Sequence, residues 1–414
     1  MTLDAELAAI VGVDHVSRVT PAVWRVAPGT ASEAAELIGR AAAHRATIHP
    51  VGAVGDRTSS AMNTDPQRPA ILVATKRLDQ VLELDETSLL VHVQAGITGL
   101  ELERVLAPRN LTIGDYPPVI LMSSIGGLLA VRTPGKSSVR HGFFEDAVVG
   151  MSAVLANGHT IHTRVAPRRA TGPDLVRALC GSEGTVGLIT SVVLRIHLRP
   201  ETRLTASYVV PTIDAAVSAV QLALREEATP AGIRIYDAAE ARSHFEGIAL
   251  GAADALICVA TAGPTDLATC DRDLIASAVI AEGGRAADAT YAEQWWRRIH
   301  AGEPTPAPAP SLQVMATPSK LRLVYHAVRS AVTSAGGAAR AHISRFDSNG
   351  AVMFFTIDPG SGATRADLIA GAERAAGTAG GWLLGSRPHH LDTYLRALRT
   401  AIDPDQILNP DAFG

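Results

Sequence analysis

The chain has 414 residues, of which 47% are hydrophobic and 19% charged, and a formal net charge of -4. That length exceeds one ordinary core and points to two domains in a globular chain. The slightly acidic balance gives no electrostatic footing for nucleic acid, and 4% aromatic residues supply no base-stacking platform.

Cys180, Cys258 and Cys270 stand outside any CxxC spacing. They argue against a disulfide frame or a zinc site and suit a reducing, cytoplasmic compartment. The opening MTLDAELAAIVG lacks the basic region of a signal peptide, and no apolar run is as long as a membrane span.

In chain order, a Val-rich passage precedes a helix over 31–45, announced by Pro28, Gly29, Thr30 and Ser32. TIHPVGAVGDRTSS reads as a strand entering a glycine loop. Two β-rich runs, Ile71–Thr75 and Leu89–Gln94, flank a short predicted helix, and GLELERVLAPRN is an amphipathic helix. Small residues then crowd 116–187, where glycines between short apolar runs let a backbone approach a large, partly anionic ligand. SVVLRIHLRP is a strand, and Pro200–Thr202 marks a boundary.

Beyond it the pattern is strand, helix, strand, helix, then the strand ADALICVATAG and a helix. EPTPAPAPS is extended. A helix through SKLRLVYHAVRSAVTSAGG, a strand pair turning at Asp347–Gly350, and a last helix lead into DPDQILNPDAFG. Irregular turn spacing favours an α+β chain over a uniform doubly wound sheet.

Several motifs are eliminated by context. GSEGTVG at 181–187 follows a helix and precedes a strand, the reverse of the order a dinucleotide fingerprint requires. The loop at 52–60, GAVGDRTSS, offers backbone amides and hydroxyls to a diphosphate but lacks the GK[ST] ending of a phosphoryl-transfer loop. Ser59 and Ser182 lack a nucleophile-elbow context. Trp295 and Trp296 with Arg297 and Arg298 suit either a core helix or a site with a cationic edge. His342, on a predicted strand, and His389 and His390, before the last helix, show no metal-ligand spacing. No metal is expected.

The order of the motifs is more telling than any one of them. A diphosphate-type loop near residue 55 is followed by VQAGITGLELERVL, SSIGGLLA, SSVRHGFFEDAVVGMSAVLANG, ATGPDLVRALCGSEGTVGLIT and a terminal ILNP. This set resembles the FAD-binding superfamily of vanillyl-alcohol oxidase and p-cresol methylhydroxylase (PCMH). IRIYD at 233–237 and AHISRFDSNGAVMFF at 341–355 extend the similarity to alkyldihydroxyacetonephosphate synthase-like and D-lactate/glycolate oxidase-like flavoproteins.

The resemblance implies a two-domain PCMH-type fold. Residues 1–200, completed by 386–414, would bind FAD, and 201–385 would form an α/β substrate cap. It also implies that Gly52, Gly55, Thr58 and Ser59 hold the diphosphate. Pro118, Ser123, Ser124, Gly126, Gly127 and Ala130 would line the flavin, with Ser138, Arg140 and Gly142 close by. Glu183, Gly184, Thr185 and Ile189 would lie near adenine and ribose. No histidine stands in the diphosphate loop, so non-covalent FAD is expected.

The loop departs from the family's glycine-rich form at Ala53, Val54, Asp56 and Arg57. The synthases' histidine-rich segment is shortened here, with His389 and His390 the only candidates to replace it. The implied reaction is FAD-dependent oxidation of a small hydroxy acid or alcohol, with hydride passing to flavin. His342 would serve as acid/base, and Arg234 and Arg345 as anchors for a planar anion. Two alternatives stay open: a non-redox alkyl transfer, and a degenerate or FAD-binding subunit of a multi-component dehydrogenase. A small-molecule substrate is the expected partner, and a homodimer stays open.

Overall fold

A computed structural model describes residues 2–53, 68–114, 116, 121–132, 138–165, 172–300, 311–347, 349–360, 362–384 and 392–413. The expected Gly55, Thr58, Ser59, Pro118, His389 and His390, with Val54, Asp56 and Arg57, lie outside them, as does nearly all of the Pro/Ala-rich segment.

The first half builds two sheets. β1 (Val16–Thr20), β2 (Val23–Val26), β3 (Thr47–Val51) and β4 (Ala70–Ala74) form one, in the order β1-β2-β4-β3, with β4 parallel to both β2 and β3. Parallel strands of one sheet need a crossover, and helix Ala31–Ala43 supplies it between β2 and β3, which flank β4. Thr30 caps that helix by accepting from Glu33 N, and Ala34, Leu37, Ile38 and Ala41 bury its apolar stripe.

The second sheet is antiparallel. It joins β5 (Val81–Asp85) and β6 (Leu90–Gln94) to β8 (Val148–Val154), β9 (Thr160–His162) and β10 (Leu188–Arg195), in the order β5-β6-β10-β8-β9. β7 (Leu111–Thr112) pairs apart with β11 (His197–Leu198). The predicted helix between the β-rich runs is corrected here. Only the 3-10 turn Thr75–Arg77 forms, and VLELD becomes strand β5. Its pairing with β6 through the tight connection at Leu89, which has φ 53, overrides local helix preference.

The second half is one eight-stranded sheet of β12 (Thr202–Val210), β13 (Gly232–Asp237), β14 (Ala255–Gly263), β15 (Arg285–Ala286), β16 (Leu312–Ala316), β17 (Ala338–Asp347), β18 (Gly350–Asp358) and β19 (Trp382–Leu383), ordered 15-12-14-13-17-18-16-19. Alternation along the strands divides its residues between two faces. Ile233, Ile235, Ala341, Ile343, Met353 and Phe355 join the core under helices Ile213–Arg225, Leu321–Ser334 and Arg365–Thr378. Arg234, Tyr236, His342, Ser344 and Phe354 occupy the alternate positions, on the face that carries helix Ala238–His244.

Residues beyond this sheet return to the first half. Leu408 makes a parallel bridge to Ile48, Ile48 N donates to Ile407 O at 2.7 Å, and Asn409 N donates to Ile48 O at 2.7 Å. The fully buried Asp403 fixes this turn by accepting from Ile407 N and Leu408 N.

Candidate functional site

A cavity of about 570 Å³ opens between the ends of β3 and β10, helix Ile125–Ala130 and the returning tail. It is walled by small residues and backbone. Ser124 caps helix Ile125–Ala130, its Oγ accepting from Gly127 N at 3.3 Å. A Cβ on Gly52 would stand 2.9 Å from that Oγ, and one on Gly126 would stand 2.9 Å from the Ala95 Cβ. These glycines therefore permit the close approach that makes the cradle.

Opposite, Glu183 and Asn409 both adopt left-handed backbone, at φ 50 and 41. Asn409 Nδ2 donates to Glu183 O at 2.6 Å, and its Oδ1 pairs with His49 Nδ1 at 3.2 Å. Two strained residues locked to one another at a cavity wall mark a built surface. Burial pushes His49 below the usual histidine range, so it stays neutral there.

Of the expected cofactor residues, Gly52, Ser123, Ser124, Gly126, Gly127, Ala130, Glu183, Gly184 and Ile189 line this cavity. Others are placed differently. The buried Thr185 turns its hydroxyl inward, to Ser182 O at 2.7 Å. Gly142, at φ 73, serves a turn beside Asp146. Ser138 and Arg140 sit on helix Ser138–His141, which packs against β13 and β17 of the large sheet. The sequence reading missed His49, Thr75, Ala95, Asn409 and Asp411. The family motifs held two of them, Ala95 in VQAGITG and Asn409 in ILNP, without marking either as a wall residue.

The expected catalytic residues gather elsewhere. No described residue of the large sheet lines the cavity, and helix Ser138–His141, which packs against β13 and β17, does not line it either. His342 on β17 stacks on Phe354 at 4.8 Å, with 10° between the rings. Arg345 follows it at a β-bulge, in left-handed backbone with φ 56, which aims its guanidinium over the same Phe354 ring at 4.9 Å. Arg234 lies one strand over, opposite Ser344. The Nε of Arg234 and of Arg345 are buried without a hydrogen-bond partner among the described residues. Burial, and then repulsion from Arg234, push Arg345 down to about 10.

Three residues unseen in the sequence, Glu240, His244 and Arg340, complete this group. Glu240 Oε1 lies 3.2 Å from His342 Nδ1 and 3.1 Å from His244 Nε2. Arg340 Nε stands 3.0 Å from Glu240 Oε2, an ion pair without hydrogen-bond alignment. Burial opposes the charge on Glu240, yet the hydrogen bonds from His244 and His342 outweigh it and hold the carboxyl down to about 2. An ionised carboxylate only accepts, so each facing ring nitrogen is the N–H donor. His342, pushed down to about 3 by burial and Arg234, is thus neutral, with its Nε2 lone pair free of the proton.

Models of known families account for most of the chain. A model of the FAD binding domain matches residues 24–164, and one of the FAD linked oxidases, C-terminal domain, matches 199–385. The chain belongs to the FAD-linked oxidases. FAD is the cofactor of this family, and the cradle of small residues, hydroxyls and exposed backbone fits it: hydroxyls and backbone amides meet diphosphate oxygens without a full countercharge.

The FAD-linked oxidase chain is 31% identical over 217 residues to alkyldihydroxyacetonephosphate synthase of Caenorhabditis elegans, covering 52% of this chain and 36% of that one. It is 30% identical over 214 residues to glycolate oxidase subunit GlcD of Bacillus subtilis, covering 51% and 45%. The matched segments thus span less than half of either relative. Among solved structures, an alkyldihydroxyacetonephosphate synthase superposes with TM-score 0.72 at 21% identity, covering 94% of this chain and 75% of that one. Substrate-bound p-cresol methylhydroxylase gives TM-score 0.70 at 14% identity, covering 99% and 96%. These likenesses establish the two-domain PCMH-type fold. No helix among the described residues is long and apolar enough to cross a membrane.

Proposed function

We propose that this FAD-linked oxidase oxidises a small hydroxy acid, with residues 1–200 and 386–414 holding FAD and 201–385 presenting the substrate. When bound, FAD supplies a two-electron acceptor for hydride leaving the substrate carbon. The chain's residues supply the rest. The observation that carries the reading is the pair of guanidinium groups, Arg234 and Arg345, whose buried Nε atoms lack partners among the described residues, beside a neutral histidine.

A carboxylate would complete those donors and cancel the charge that disfavours protonation of His342. His342 Nε2 would then accept the hydroxyl proton, while Glu240 stabilises the imidazolium through Nδ1–H. The similarity to a glycolate oxidase subunit makes glycolate and lactate the first substrates to try.

Mixing either with the FAD-loaded protein without oxygen should bleach the flavin band, and His342→Ala should slow that step about 100-fold or more. An unchanged rate in the variant removes His342 from the chemistry. The similarity to alkyldihydroxyacetonephosphate synthases favours a second reading, non-redox alkyl transfer on a phosphate-bearing substrate held by the same arginines. Turnover without net reduction of any acceptor would select it.

A further inference from the structure

We propose that Glu240, His244 and His342 form a binding site for a divalent transition-metal ion, with Zn²⁺ the best match. Their ligand atoms Oε1, Nε2 and Nδ1 lie within 4.8 Å of one another, and all three residues are buried. The two measured edges, 3.1 and 3.2 Å, are also those of a coordination shell. A tetrahedral ion with bonds of about 2.0–2.1 Å spaces its ligands roughly 3.3 Å apart. Two imidazoles and one carboxylate suit zinc rather than calcium or magnesium, and leave a fourth position open.

The frame is already rigid. Glu240 and His244 stand one helical turn apart on Ala238–His244, whose start Asp237 caps through Glu240 N. Phe354 fixes the His342 ring. Arg340 engages Oε2 and leaves Oε1 to the ion, and its own charge is shared with Asp358. The imidazole side chains keep 10% and 9% of their surface exposed, which gives the ion an approach.

Binding has a consequence for His342. The ligating Nδ1 of His342 must lose its N–H, and the ring does this by moving the proton to Nε2. Nothing is oxidised or reduced. His342 Nε2 then carries a proton and cannot accept another. Zinc occupancy and proton acceptance therefore exclude one another, and zinc inhibits. That second step rests on the reading of His342 as the base; the site itself does not.

The test uses untagged, FAD-loaded full chain, stripped with chelator and titrated calorimetrically with Zn²⁺. Wild type and the control His162→Ala should bind one ion per chain. His244→Ala and Glu240→Gln should bind at least tenfold more weakly with unchanged circular dichroism. Should His244→Ala fail to fold, His244→Gln keeps the side-chain bulk and takes its place. Absence of stoichiometric zinc on wild type, or equal affinity in every His244 and Glu240 variant, overturns the site.

In parallel, zinc should slow flavin reduction by glycolate or lactate at the concentrations that fill the site. Zinc bound without slowing overturns the exclusion and leaves the site standing. If neither acid reduces zinc-free flavin, the proposed oxidation falls, and calorimetry alone decides the site.

Discussion

At the scale of single residues, the cavity depends on positions that tolerate nothing larger than hydrogen. Gly96 is the sharpest case. A Cβ there would lie 1.8 Å from the Thr75 carbonyl oxygen and 2.8 Å from that of Leu78, both backbone atoms. Thr75 and Ala95 line the cavity, so relief of the clash would move its wall. Gly96→Ala should cost about 3 kcal/mol and lower the FAD content of the purified protein, read from its visible absorbance against total protein. The glycine was visible in VQAGITG, but its reason was not: the clashing carbonyl belongs to Thr75, the end of a β-rich run in the sequence, which in the structure opens the 3-10 turn Thr75–Arg77. Glu240 and His244 hid for a similar cause. An i,i+4 pair on a short helix is ordinary, and only the pairing of β13 with β17 brings His342 to it.

At the scale of elements, the tail 403–409 acts as the last strand-like edge beside β3. Asp403 is fully buried and satisfies two backbone amides, and charge-assisted bonds of that kind contribute about 1.5–3 kcal/mol. Asp403→Ala leaves both amides without their acceptor. It should lower stability by about 3 kcal/mol, seen as a lower melting temperature, and weaken FAD binding by fluorescence titration. ILNP pointed to this contact only through the family resemblance, which has the extreme C-terminus complete the FAD domain. Most strands were legible from the residues themselves, since period-two alternation is imposed by the sheet faces they bury. VLELD was not, because its strand state is decided by its neighbour β6.

At the scale of the whole molecule, neutral histidines make the fold acid-sensitive. Burial, then His197 and Arg140, push His141 down to about 3, from an ordinary 6.5. Its ring lies 4.1 Å from that of His197, tilted by 33°, on a helix that packs against the large sheet. The unfolded chain takes up this proton as pH falls below 6.5, while the folded chain resists until about 3. Stability is therefore full above the ordinary value and declines as pH drops through that window, by up to about 1.4 kcal/mol per pH unit for one such group. Thermal melts from pH 7 to pH 4 should show this decline, and His141→Phe should make it shallower. A slope unchanged by the substitution would assign the proton uptake elsewhere.

The returning tail also sets an order of events in synthesis. Residues 403–409 leave the ribosome only after the entire eight-stranded sheet has been made, yet they finish the wall formed by residues near 48 and 183. A nascent chain that lacks residues 403–409 therefore has this wall of the cavity open, and full cofactor affinity is expected only once they have emerged and docked.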